Sequence, residues 1–165
     1  MFKNRIILVT LLAVVMAFAA AALATPGSGV TGVIQARAKF LVPVDIKVKI
    51  DDQHQEVIHV PDSKDTVIQQ VVFEPQGFTG WHSHPGPAIA LVKSGTLTLF
   101  DSDDPSCTGK TYTAGQAFID HGQGHGHLAG NPSATERAEL WITYFDVPPG
   151  AAPRVDQPGP SSCPF

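Results

Sequence analysis

The chain has 165 residues and a mass of 17.5 kDa, which suits one domain and is too short for two separate cores. Charged residues make up 16% and apolar residues 43%, a balance that excludes a coiled coil, a collagen and a disordered chain. The net charge is −4 and the pI about 5.9, and with no block of Lys and Arg to track phosphates, nucleic acid is excluded as a partner class.

The first segment, 1–24, has the pattern of a signal peptide. Lys3 and Arg5 precede an uncharged apolar run from Ile6 to Ala22, and Ala22-Leu23-Ala24 puts small residues at the two positions that a signal peptidase reads. Left uncleaved, Ile6 to Ala24 is just long enough to anchor in a bilayer. The alanine-rich second half favours cleavage, which leaves no stable membrane span. No Cys follows the site, so a lipoprotein is not expected. The mature chain is expected to be secreted or held in the cell envelope.

Residues 25–44 read as an N-terminal arm or a first strand, and 45–147 as the folded domain. Within it Asp45 to Ile50 alternates apolar and polar residues, Asp65 to Glu74 is rich in Val and Ile, and Ala88 to Lys93 is a short apolar run. Thr96 to Leu99 alternates again, Ala117 to Asp120 is short, and Glu139 to Asp146 places Leu140, Ile142 and Tyr144 on one face. Turn chemistry separates them at Pro61-Asp62, Glu74-Pro75-Gln76-Gly77, Ser94-Gly95, Ala114-Gly115 and Asn131-Pro132. Strands at this spacing, with no helical period, predict an all-β sandwich or barrel.

Residues 148–165 form a tail with six prolines, which excludes a helix or a central strand. An exported protein with two cysteines is expected to pair them, Cys107 with Cys163. On the chain-entropy account such a bridge contributes about 4 kcal/mol, and its use is to pin the tail. The alternative is two free thiols.

Five of the seven histidines, His82, His84, His121, His125 and His127, lie between residues 82 and 127. His82 and His84 are two apart, so on an extended strand both project from one face, and two hairpins suffice to bring His127 to them. Imidazole nitrogens suit zinc, copper, iron and nickel. His54 and His59 read as surface histidines. Ser83 and Ser94 lack a glycine-flanked elbow, so a hydrolase triad has no support. Asp101-Ser-Asp-Asp104 lacks the glycine and distal Glu of a calcium loop. Trp81, facing away from His82, and Phe73, Phe78, Phe100, Phe118 and Tyr144 read as core and barrel lining.

The stretch Gly77-Phe-Thr-Gly-Trp-His-Ser-His-Pro-Gly-Pro-Ala-Ile-Ala-Leu-Val-Lys-Ser-Gly95 resembles the first signature motif of the cupin superfamily, and Gly124-His-Gly-His127-Leu-Ala-Gly-Asn131, preceded by Gly115, resembles the second. The resemblance spans about residues 66–146. It implies a double-stranded β-helix jelly roll, a cupin barrel, with one divalent transition metal (Fe, Mn, Ni, Cu or Zn) held inside by His82, His84 and His127, and a small molecule as ligand or substrate. Single-domain cupins are often homodimers. The motif's Glu, however, would fall at Ala88 or Ile89, and Gly122 occupies the second motif's proline position. Three readings follow: a three-histidine site such as some cupin-like dioxygenases use with iron, a site in which His125 adds a fourth nitrogen, or a barrel that has lost its metal and binds a small molecule without catalysis. If the chain is an enzyme, a metal-dependent oxygenase or a similar small-molecule enzyme is expected.

Overall fold

The computed structural model describes residues 25–50 and 56–163. The segment 1–24, which reads as a signal peptide, and His54 lie outside them. Among the described residues every regular element is a strand: β1 (Ser28–Lys39), β2 (Ile46–Ile50), β3 (Glu56–Val60), β4 (Asp65–Phe78), β5 (His82–Ser83), β6 (Ala88–Ser94), β7 (Thr96–Asp101), β8 (Lys110–Thr113), β9 (Ala117–Asp120), β10 (His127–Gly130), β11 (Ala138–Val147) and β12 (Val155–Asp156). No described helix is long and apolar enough to cross a membrane.

Ten strands form one antiparallel sheet, ordered β12-β5-β10-β4-β11-β6-β9, with β1 added to β4 and the β7–β8 hairpin added to β10. The sheet curls into a nearly closed barrel, the all-β architecture that the resemblance implies. β2 and β3 pair only with each other. The core follows from period-two alternation. Val67, Val71 and Phe73 of β4 turn inward, and they meet Leu140 and Tyr144 of β11, Ala88 and Ala90 of β6, and Leu97 of β7. Ala88, Ala90, Ala129 and Ala138 are small enough to leave space between the barrel walls. A separate cluster of Trp81, Leu128 and Cys163, flanked by Phe78, Phe100 and Cys107, lies against the tail. Cys107 and Cys163 form the expected disulfide across 56 residues of chain.

The expected turn at Glu74-Pro75-Gln76-Gly77 is a bend inside β4 rather than its end. Gln76 has φ +59°, the facing register of β1 shifts between Ser28 and Val30, and the strand resumes toward β10. Pro75 has no N–H to give the ladder, and the register shift accommodates it. Among its described residues the tail contributes β12, a two-residue strand at the sheet's end, and a bridge at Pro158.

Candidate metal centre

His82 opens β5 and His127 opens β10, and the two residues are direct antiparallel partners. Their ring centroids are 4.2 Å apart, and His84 lies 5.0 Å from each. One nitrogen from each ring lies within 4.8 Å of the others, and all three side chains are buried. The triad expected from sequence is therefore assembled, and it can hold a metal ion.

The hydrogen bonds around the triad decide which nitrogens face it. His82 Nδ1 donates to Gly80 O at 3.0 Å, and His84 Nδ1 donates to Pro153 O at 2.5 Å. A carbonyl oxygen only accepts, so both Nδ1 atoms carry the hydrogen and both Nε2 atoms keep a lone pair. At His127 the Oδ2 of Asp120 stands 2.8 Å from Nδ1. The carboxylate favours the same tautomer. Three rings with engaged Nδ1 and bare Nε2 form the outer arrangement that orients imidazole ligands around a metal.

Burial keeps the His82 and His84 rings neutral. It lowers the His82 pKa to about 2, aided by the nearby His127 and His84 rings. It lowers that of His84 to about 4, with His127 adding to the effect. Burial by itself raises the Asp120 carboxyl, but contact with His127 and the bond from Gly122 N outweigh it and hold Asp120 below the usual carboxylate range. Tyr144 packs on His84, with ring centroids 4.7 Å apart. Burial and the Asp120 charge raise its phenol, which stays protonated across the physiological range.

Asp120 was not legible as a site residue. The sequence pattern ends a strand there, and its role depends on register: Asp120 of β9 is the cross-strand partner of Ala88 on β6. Cross-strand partners share a face. The carboxylate missing from the first motif thus enters the cavity from the neighbouring strand, next to His127 instead of among the ligand nitrogens.

His125, considered as a fourth nitrogen, is not in the triad. Its Nε2 lies 3.2 Å from Asp101 Oδ1 and 3.2 Å from Asp103 Oδ2. The two-residue alternation expected back from His127 fails because β10 begins at His127, and Gly122, Gln123 and Gly124 all have left-handed backbones (φ +62°, +54° and +90°). His121 stacks near His125, with centroids 5.1 Å apart, and His59 lies 3.7 Å from Asp45. Trp81 is buried, as expected of a core residue. Asn131 is buried too. Its amide donates to Glu74 O and Glu136 O, and its Oδ1 accepts from Ser133 N, so it pins the turn after β10.

Gly122 explains why the second motif's proline is absent. A Cβ there would lie 1.9 Å from Gly86 O, and the residue sits at φ +62°. Its N–H also donates to Asp120 Oδ1 at 2.8 Å. Proline has neither that φ nor an N–H. Gly122→Ala is expected to destabilise the fold by about 3 kcal/mol, since left-handed strain and a backbone clash combine. A urea midpoint unchanged from wild type would contradict this.

The triad lines a cavity of about 1060 Å³. Val71, Phe73, Leu99, Phe118, Leu140 and Ile142 supply its apolar walls, and the chain at 25–29 and 152–154 borders it.

No protein-family model matches the chain, and no curated protein matches it. Among solved structures, it is similar to an oxalate oxidase (24% identity, 49% of this chain and 41% of that one, TM-score 0.42). It is also similar to a cupin domain from Bordetella pertussis (21% identity, 64% and 96%, TM-score 0.42) and to a cupin-like protein from Thermotoga maritima (24% identity, 57% and 65%, TM-score 0.45). The chain spans about two fifths of the oxalate oxidase that it matches.

Proposed function

We propose that this chain is an exported single-domain cupin-type barrel in which His82, His84 and His127 hold one divalent transition metal that binds or transforms a small molecule in the adjoining cavity. The observation that carries the reading is the set of outer contacts on the rings: Gly80 O, Pro153 O and Asp120 each occupy an Nδ1, leaving three Nε2 lone pairs. Buried imidazoles without such a task would not need three convergent bare nitrogens. Three neutral nitrogens and no carboxylate among the ligands suit Fe, Mn, Ni, Cu or Zn better than Mg or Ca, which favour oxygen.

Three protein ligands leave coordination positions for water or substrate, the arrangement of catalytic rather than closed structural sites. The metal would polarise an oxygen or nitrogen donor of the bound molecule. The chain's own residues would do the rest. The apolar walls exclude water and accept a hydrocarbon or aromatic body. Tyr144, protonated and beside His84, offers a hydrogen-bond donor at the metal end, and the Asp120 charge balances part of the metal's. Export is consistent with the disulfide, since such bonds persist in oxidising compartments.

The test is elemental analysis and titration of the purified mature protein. Close to one metal per chain is expected, with chelator lowering the melting temperature and added metal restoring it. A protein whose melting ignores Fe, Mn, Ni, Cu and Zn would end the proposal.

A further inference from the structure

Two of the three acceptors that orient the triad belong to the barrel, and one does not. Gly80 directly precedes Trp81 and β5, and Asp120 ends β9, whereas Pro153 lies in the proline-rich tail. Among its described residues the tail pairs with the sheet only through β12 and a bridge at Pro158, so its position depends largely on a series of side-chain and backbone contacts. Arg37 of β1 donates to Pro148 O at 3.3 Å and also to Ala151 O. Arg154 Nη2 donates to Thr79 O at 2.8 Å. Beyond β12, Gln157 N donates to Trp81 O at 3.1 Å and Gln157 Nε2 to Ser83 Oγ at 2.9 Å. Gly159 lies against the Trp81 indole, where a Cβ would come within 2.8 Å of Cδ1. The series ends at Cys163, buried beside Trp81 and Leu128 and bonded to Cys107.

We infer that the tail is a positioning strap for the metal site. The Pro153 carbonyl holds His84 by its Nδ1–H, and the Cys107–Cys163 bond holds Pro153 in place. The inference rests on the metal reading of the triad. The physical cause is the ring's two-fold ambiguity. Without an acceptor at Nδ1, a buried neutral imidazole is free to turn over or to move its hydrogen to Nε2, and either change removes the lone pair from the metal. Losing the partner of a ligating histidine typically costs ten- to a hundredfold in metal affinity. A disulfide far along the chain from every ligand thereby controls one of the three.

The experiment compares the full mature chain with a Cys107→Ser/Cys163→Ser variant, using Co²⁺ as the probe. Wild type should bind Co²⁺, and the variant about tenfold or more weakly. Imidazole nitrogen NMR of the metal-free proteins supplies a readout that general loosening would not produce. The His84 Nδ1–H signal should be lost or should exchange rapidly in the variant, while that of His127, whose partner Asp120 ends β9 in the barrel, should persist. Equal affinity, or equal loss of both signals, would overturn the inference. Should the cysteine-free chain fail to fold, Gln157→Ala keeps the disulfide but loses the tail's bond to Ser83. It must show the same selective change at His84, and unchanged spectra and affinity in it would overturn the inference. Wild type that binds no Co²⁺ would instead remove the metal reading on which it stands.

Discussion

Replacing His84 by alanine is expected to abolish stoichiometric metal binding and to remove the chelator-sensitive part of the melting temperature. His84 supplies one of three convergent nitrogens. A site whose whole binding energy comes from three ligands weakens roughly a hundredfold or more on losing one. At a metal concentration one hundred times Kd, binding stabilises the folded chain by about 2.7 kcal/mol, and the variant should forfeit most of it. His82→Ala and His127→Ala should behave alike. His125→Ala is the informative control. Because His125 pairs with Asp101 and Asp103 outside the triad, its loss should leave stoichiometry and affinity unchanged. A His125 variant that loses the metal, or a His84 variant that keeps it, would show that the ligand set is different.

The metal-free protein should lose stability steeply in mild acid, beginning well above the carboxylate range. The folded pKa values of His82 and His84 are lowered to about 2 and about 4, chiefly because burial opposes the charged ring. In the unfolded chain both titrate near 6.5. Between pH 6.5 and 4 the unfolded state therefore binds more protons than the folded one, so stability falls as pH falls. Each ring contributes about 1.4 kcal/mol per pH unit in that window. The two together cost about 5 kcal/mol by pH 4.5, comparable with the whole stability of many domains. Asp120 acts in the same direction lower down: its depressed carboxyl stabilises the fold at neutral pH, and that contribution disappears as the pH drops below about 4. Urea midpoints of the metal-free protein at pH 7.5, 6 and 5 should fall progressively, and His82→Gln/His84→Gln should flatten the fall. A midpoint independent of pH across this range would mean that the two rings are not held neutral by burial. Metal should bind more weakly over the same window, because protons compete for the same nitrogens.

Much of the molecule was readable along the chain because the signals are local. Alternation or a short apolar run places β2, β4, β6, β7, β9 and β11 within a few residues of their observed bounds. The spacing of His82 and His84 puts two nitrogens on one face, and two cysteines in a chain that is expected to be exported pair as Cys107 with Cys163. Short strands without a strong pattern were missed, among them β5, β8, β10 and β12. Each has two to four residues and lacks the bulky apolar pair, Phe118 and Ile119, that marks the equally short β9. β1 was left open between an arm and a strand, and its mostly exposed residues explain why: a strand that buries little has little hydrophobic pattern to read.

The site separates what sequence determines from what tertiary structure decides. By itself the sequence determined an all-β chain, the three histidines that meet, and the pinning of the tail, because side-chain alternation and covalent pairing depend on residue type and spacing. Only the tertiary structure decided that Asp120, across from Ala88, stands beside His127, that His125 turns away to Asp101 and Asp103, and that Pro153 holds His84. Each of these depends on which distant segments become neighbours. Cross-strand register, a run of left-handed residues before β10, and a tail folded back over β5 set distances that no local pattern encodes.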